Sequence, residues 1–372
     1  MADHKKQSGI AEQQPNNQVA SPEKETEKKA QEPVKYSMSS GFLAQLIKAK
    51  ISIALTSYQS SRLYLLGSNP KGGLMVNEEV FQRAMGLRYH NKKLYLASLG
   101  QIMVLENILA QDQWINEQYT QCFIPRRSYF TGHLDCHDVG ITNDNKTIFV
   151  NTLYNCISEI SETHSFKTFW KPSFISKIVA EDRCHLNGMA MQDGAPKYVT
   201  AVCRSDVVDG WRDRRADGGV VIDVEKNEIV CEGLSMPHSP RLYENKLWVL
   251  NSGSGELGWV DLEKKQFKSL AFCPGFLRGL AFSGNLAFVG LSRPRYERFE
   301  GLALDKKLKD VDSEPWTGIQ VIDITTGACV HWFRMDGPVL ELFDVEVLPD
   351  IMCAKSVQFA SPEAQALITI EG

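Results

Sequence analysis

Downstream of residue 80 the chain repeats one short pattern. A frame of three residues and a glycine is followed by an apolar residue and, a few positions later, by an apolar run. In order the copies read "RAMGL" with "KLYLAS", "HDVGI" with "TIFVNT", "HLNGM" with "KYVTAV", "HSPRL" with "KLWVLN" and "FLRGL" with "LAFVGL", ending in a faint "ELFDV". Short apolar runs bounded by turn residues predict β-strands. A third strand shows in several copies as a Gly and an Asp around apolar residues: "GGVVID" ending at Asp223, "LGWVDL" around Asp261 and "GIQVID" ending at Asp323. The frames start at Arg83, His137, His185, His238, Phe276 and Glu341, at spacings of 54, 48, 53, 38 and 65 residues. Consecutive short strands at that period predict an all-β propeller. Six blades fit best, with five or seven also compatible.

Residues 51–82 carry apolar segments ("ISIALT", "RLYLLGS", "LMVNEEV") ahead of the first clear frame. They are expected to complete the blade whose inner strand starts near Glu341, joining the two chain ends and hiding the edges an open sheet would expose. Before them "GFLAQLIKAK" has helical periodicity and is expected to cap one end. Residues 1–36 are Lys, Glu, Gln and Pro with little to bury, which predicts a disordered tail, leaving 37–372 as the propeller domain.

In an up-and-down blade the first strand begins, and the second ends, on one face of the disc. The six frame positions should therefore gather at one mouth of the central channel. His137, His185 and His238 come from consecutive blades and are expected to converge there as catalytic residues, Asn151, Asn187 and Asn251 to complete a polar pocket, and Arg278 and Arg293 to hold an anionic group. Three neutral imidazoles can also ligate a divalent metal such as zinc, iron or copper; the alternative is three histidines bonded to water and backbone carbonyls. Asp135 and Asp138 flank His137 and either orient an imidazole or bond turn amides. Cys136 and Cys184 should point away from the adjacent histidines, because strand side chains alternate. His133 is expected in a loop, outside the site. The loops from Cys203 to Gly219, from Leu250 to Gly258, and after "GLSRPRYERFEG" to Trp316 fall on the same face and would wall the mouth.

Composition narrows the function. A formal charge of -4 gives no basic field for nucleic acid or an anionic membrane. No apolar run reaches spanning length and no secretory h-region opens the chain, so a cytoplasmic location is expected. Nine cysteines without a CxxC pair indicate reduced, packed thiols rather than a zinc ribbon or disulfide framework. "SGSGELG" lacks the strand-to-helix setting of a phosphate loop, and there is no nucleophile elbow or dinucleotide fingerprint.

On "DRCHLNGMA", "VTAVCRSDVVDGWRDRRADGGVVID", "GLSMPHSPRLY", "LNSGSGELGWVD", "CPGFLRGLAF" and "VGLSRPR", nearly everything after residue 40 resembles a family of uncharacterised bacterial proteins sharing a domain of unknown function. The resemblance implies a propeller-like protein and brings no activity with it. Two readings follow. In the first the loop-bearing face is the site of an enzyme (hydrolase, lyase or oxidoreductase) or a binder of a small anionic molecule. In the second the protein is a non-catalytic scaffold presenting a face to a protein partner.

Overall fold

A computed structural model describes residues 33–293 and 301–371. Among them six antiparallel sheets form the blades of a propeller, numbered here from the one that closes the ring. Blade 1 takes its innermost strand, Asp344–Pro349, from near the C-terminus and its outer strands, Ile51–Ser57, Arg62–Ser68 and Leu74–Val80, from near the N-terminus. Blades 2 to 6 begin with the innermost strands Leu87–His90, Cys136–Ile141, Leu186–Gln192, Pro237–Tyr243 and Phe276–Ser283. Each of these six inner strands touches the next, so the ring is closed. The expected joining of the chain ends holds residue by residue, with Ile53 opposite Val347 and Leu55 opposite Val345.

Two further strands strap the outside. Ala354–Ser356 pairs in parallel with Gln121–Phe123 at the edge of blade 2, and Lys35–Met38 pairs with 333–336 at the edge of blade 6. The strand Lys35–Met38 crosses the boundary expected at residue 36. Residues 1–32 lie outside the described residues, but Lys35 and Tyr36 are in a strand, and the Tyr36 ring stacks on Phe333 at 5.7 Å. The predicted helix is Phe42–Ala49. Instead of capping an end it buries Phe42 and Leu46 in the apolar seam between blades 1 and 6, among Ile53, Tyr64, Phe288 and Phe333.

The repeated glycine has a steric cause. A Cβ on Gly188 would overlap the Pro240 ring of the next inner strand. At Gly279, φ is +82° and a Cβ would come within 2.5 Å of the Val345 nitrogen. Inner strands approach most closely at this frame position, where glycine alone fits without displacing backbone. The two frames that lack the glycine carry Arg241 and Asp344 there instead, and both charges are buried. Arg241 Nη1 donates to Asp138 Oδ2 at 2.8 Å, and its Nη2 lies 3.6 Å from Asp344 Oδ1. The Asp138 carboxylate also accepts the amides of Val139 and Met189, and Asp344 those of Val345 and Leu87. This axial hub ties five blades together. It also decides the role of Asp138, which belongs to the hub and not to an imidazole.

Candidate functional site

One mouth of the channel opens into a cavity of about 210 Å³. All six blades contribute to its wall. Tyr58, Glu341 and Phe343 come from blade 1, Arg83 and Met85 from the entry to blade 2, Asp135 and His137 from blade 3, and Asp182 and His185 from blade 4. Met236 comes from blade 5 and Arg278 from blade 6, while Trp211, Arg212 and Arg215 lean in from the long loop of blade 4. The frame positions of four blades thus meet as expected: Arg83, His137, His185 and Glu341.

The entry to the inner strands is a bend. Arg83, Asp135, His185 and Met236 all have φ between 47° and 55°, the left-handed region that costs a side-chain-bearing residue on the order of 1–3 kcal/mol. The bend turns these side chains into the mouth before the strand begins. Such strain persists only where the surrounding structure holds it, and here four wall residues share it.

The histidines are oriented by their Nδ1 atoms. His137 Nδ1 donates to the Asp135 carbonyl at 2.9 Å and to Thr152 Oγ1 at 2.8 Å, and the Thr152 hydroxyl in turn donates to the Leu186 carbonyl. His238 Nδ1 donates to the Met236 carbonyl at 2.8 Å. His185 Nδ1 donates to the Asp182 carboxylate at 2.8 Å. With Nδ1 committed in all three, the tautomer inferred from these bonds leaves Nε2 as the basic nitrogen. Burial, reinforced by His185 and Arg278, pulls His137 down to about 4 although Asp135 opposes it. It is neutral at pH 7. Burial likewise holds His238 well below its ordinary range. Burial pushes Glu341 up to about 7, with Arg278 opposing. Burial would also raise Asp135, but His137, His185 and Arg83 outweigh it and hold that carboxyl below its ordinary value.

Other expected site residues are placed elsewhere. His238 does not line the cavity; its ring lies 5.7 Å from Phe276, and its Nε2 is 3.4 Å from Asn187 Nδ2. Asn187 accepts from Thr200 and so orients His238 from behind. Asn151 and Asn251 sit at their strand ends as read, yet their side-chain carbonyls accept the amides of Tyr154 and Ser235. They cap loops. Arg293 lies 3.5 Å from Asp336, away from the cavity. Cys136 and Cys184 are buried in the apolar layers between blades, as alternation requires, and His133 is exposed. Of the three expected metal ligands His137 and His185 adjoin, while His238 packs against Phe276 and Asn187 and does not line the cavity. Among the described residues no group of three or more His, Cys, Asp or Glu could hold an ion.

Several wall residues were not singled out from the sequence. Trp211, 4.3 Å from the His185 ring, and Arg212, which stacks on Trp211 at 4.6 Å, fold over the mouth with their loop. Loop length was the signal for Trp211, and the run of arginines in "WRDRRADGG" was a second one for Arg212. The later insertion closes over the same side: Leu302, Leu304 and Leu308 pack with Trp211, Met236 and Phe276. Its residues 294–300 lie outside the described residues.

Residues 40–357 match the family described as "Domain of unknown function (DUF4915)". The chain belongs to that family. No curated protein matches it. Similar solved structures include a nidogen/laminin complex, with 8% identity over 81% of this chain and 99% of the other at a TM-score of 0.50. They also include a catalytically inactive virginiamycin B lyase from Staphylococcus aureus with quinupristin, with 13% identity over 64% and 73% of the two chains at 0.39. The first of these likenesses concerns the fold alone. Among the described residues no helix is long and apolar enough to cross a membrane.

Proposed function

We propose that this mouth binds a small anionic molecule and acts on it by proton transfer. The observation that carries the reading is one cavity in which an imidazole is kept neutral and a carboxyl is kept near half-protonated, between arginines. Groups driven in opposite directions within one site divide into base and acid. His137 Nε2 is the base, with its orientation set by Asp135 and Thr152. Glu341 is the acid. Arg83, Arg212, Arg215 and Arg278 supply the guanidiniums that hold an anion and spread developing negative charge.

An elimination beside a carboxylate uses every one of these groups. The C–H bond breaks with its proton passing to His137, its electron pair forms the new C=C bond, and the leaving group departs with its bonding pair and the Glu341 proton. His185, held by Asp182, lies beside His137 with ring centroids 5.0 Å apart. There its Nε2 can accept a hydrogen bond from the substrate. The axial position, the loops over the mouth and the strained strand entries all favour this face over the outer edges as the site.

The test is a thermal-shift screen over small carboxylates, phosphates and sulfates, since a ligand that binds only the native state raises the melting temperature. At least one class should stabilise the protein, and Arg215→Ala and Arg278→Ala should remove most of that shift. No stabilisation by any anion at millimolar concentration, or shifts unchanged in both variants, would refute the reading.

A further inference from the structure

Five rings run along the wall of this cavity in unbroken contact. Tyr58 meets Phe343 at 5.7 Å, Phe343 meets His137 at 5.0 Å, His137 meets His185 at 5.0 Å, and His185 meets Trp211 at 4.3 Å. They come from blade 1, blade 3 and blade 4, so only the closed ring assembles them. A guanidinium stands over the terminal ring on one side and over the second ring on the other: Arg212 is 4.6 Å from Trp211 and Arg278 is 5.0 Å from the Phe343 ring. The thioether side chains of Met85 and Met236 also line the wall.

Building on the reading above, we infer that the anion is planar and conjugated, an aromatic or unsaturated carboxylate rather than a saturated one. The interplanar angles along the belt are 80°, 60°, 83° and 31°, so successive rings are turned relative to one another and present both edges and faces. A flat π-system matches such a wall by edge-to-face and offset contacts, and thioethers add sulfur–ring contacts. A saturated ring of equal charge fills similar volume without a quadrupole. The two guanidiniums, already over ring faces, would donate to a carboxylate in the plane of such a ligand. Conjugation would also spread the charge formed when His137 takes a proton.

Calorimetric titration of the full chain with matched pairs tests this: benzoate against cyclohexanecarboxylate, and 3-phenylpropenoate against 3-cyclohexylpropanoate. The conjugated member of each pair should bind at least tenfold more tightly. Trp211→Leu, in a loop outside the blades, should weaken the conjugated member at least fivefold while changing the saturated one less than twofold; Phe343→Leu should do the same. Equal affinity within the pairs, or saturated anions alone binding, overturns this inference and leaves the anion site standing. Failure of every anion to bind overturns both.

Discussion

Replacing Arg241 with methionine should expose the cost of the axial hub. The guanidinium and its partners Asp138 and Asp344 have side chains only 10%, 5% and 4% exposed, so water cannot take over when the cation is removed. Three carboxylates, Asp138, Asp344 and Glu346, would then be left with the guanidinium of Arg88, which lies 3.1 Å from Glu346. Breaking a buried pair from one side costs about 3–5 kcal/mol, and this loss is expected at pH 8.5. The pH dependence separates charge from packing. In the parent, burial already pushes Asp344 from 3.8 up to about 8, and Arg241 opposes that rise. A raised carboxyl means that the native state holds a proton the unfolded chain has released. Its contribution is complete below about pH 4 and is lost as pH rises through 8. Without Arg241 the Asp344 carboxyl rises further and stays protonated at pH 5.5, which relieves about 1.4 kcal/mol for each unit of additional shift. Urea denaturation of parent and variant at both pH values measures the gap, which should at least halve at pH 5.5. A gap below about 1 kcal/mol at pH 8.5, against the about 3–5 expected for a broken buried pair, or the same gap at both pH values, would refute the reasoning.

Other outcomes follow from the same structure. Because Glu341 is raised to about 7, ionising it adds negative charge to the mouth, so anion binding should weaken as pH rises from 6 to 8 and Glu341→Gln should flatten that profile in titration calorimetry. Gly188→Ala should cost about 1–3 kcal/mol in urea unfolding, the range for an overpacked interior, since its Cβ would overlap Pro240. Thr152→Val removes one of the two acceptors for His137 Nδ1 and the side-chain donor to the Leu186 carbonyl; a loss of about 1–3 kcal/mol is expected for the lost buried hydrogen bonds, read from the urea midpoint. Phe42→Ala empties a fully buried site between blades 1 and 6 and should destabilise by about 3–5 kcal/mol, read in the same way.

The residues of the repeat made the fold legible because blades are built from local patterns. Strand alternation, turn residues and the close-approach glycine at Gly86, Gly140, Gly188 and Gly279 all lie within a few residues of one another. The closing blade was legible for a related reason: the apolar segments at 51–82 had no inner strand of their own, and the faint copy at Glu341 had no outer ones. Lys35 and Tyr36 escaped notice because their strand pairs with blade 6, some 300 residues away.

The site divides along the same line. By itself the sequence determined that the frame positions share one mouth, and so brought Arg83, His137, His185 and Glu341 together, because a period fixes the end of the blade from which a side chain starts. Only the tertiary structure decided which of them face a common cavity. His238 was diverted toward Asn187 and Phe276, the strand-end asparagines were taken up by loop amides, and Trp211 was brought onto His185 by a loop whose path no repeat encodes. Those outcomes depend on the rotation of each blade about the axis and on competition for hydrogen bonds between residues distant in the chain, and neither leaves a local trace in the order of the amino acids.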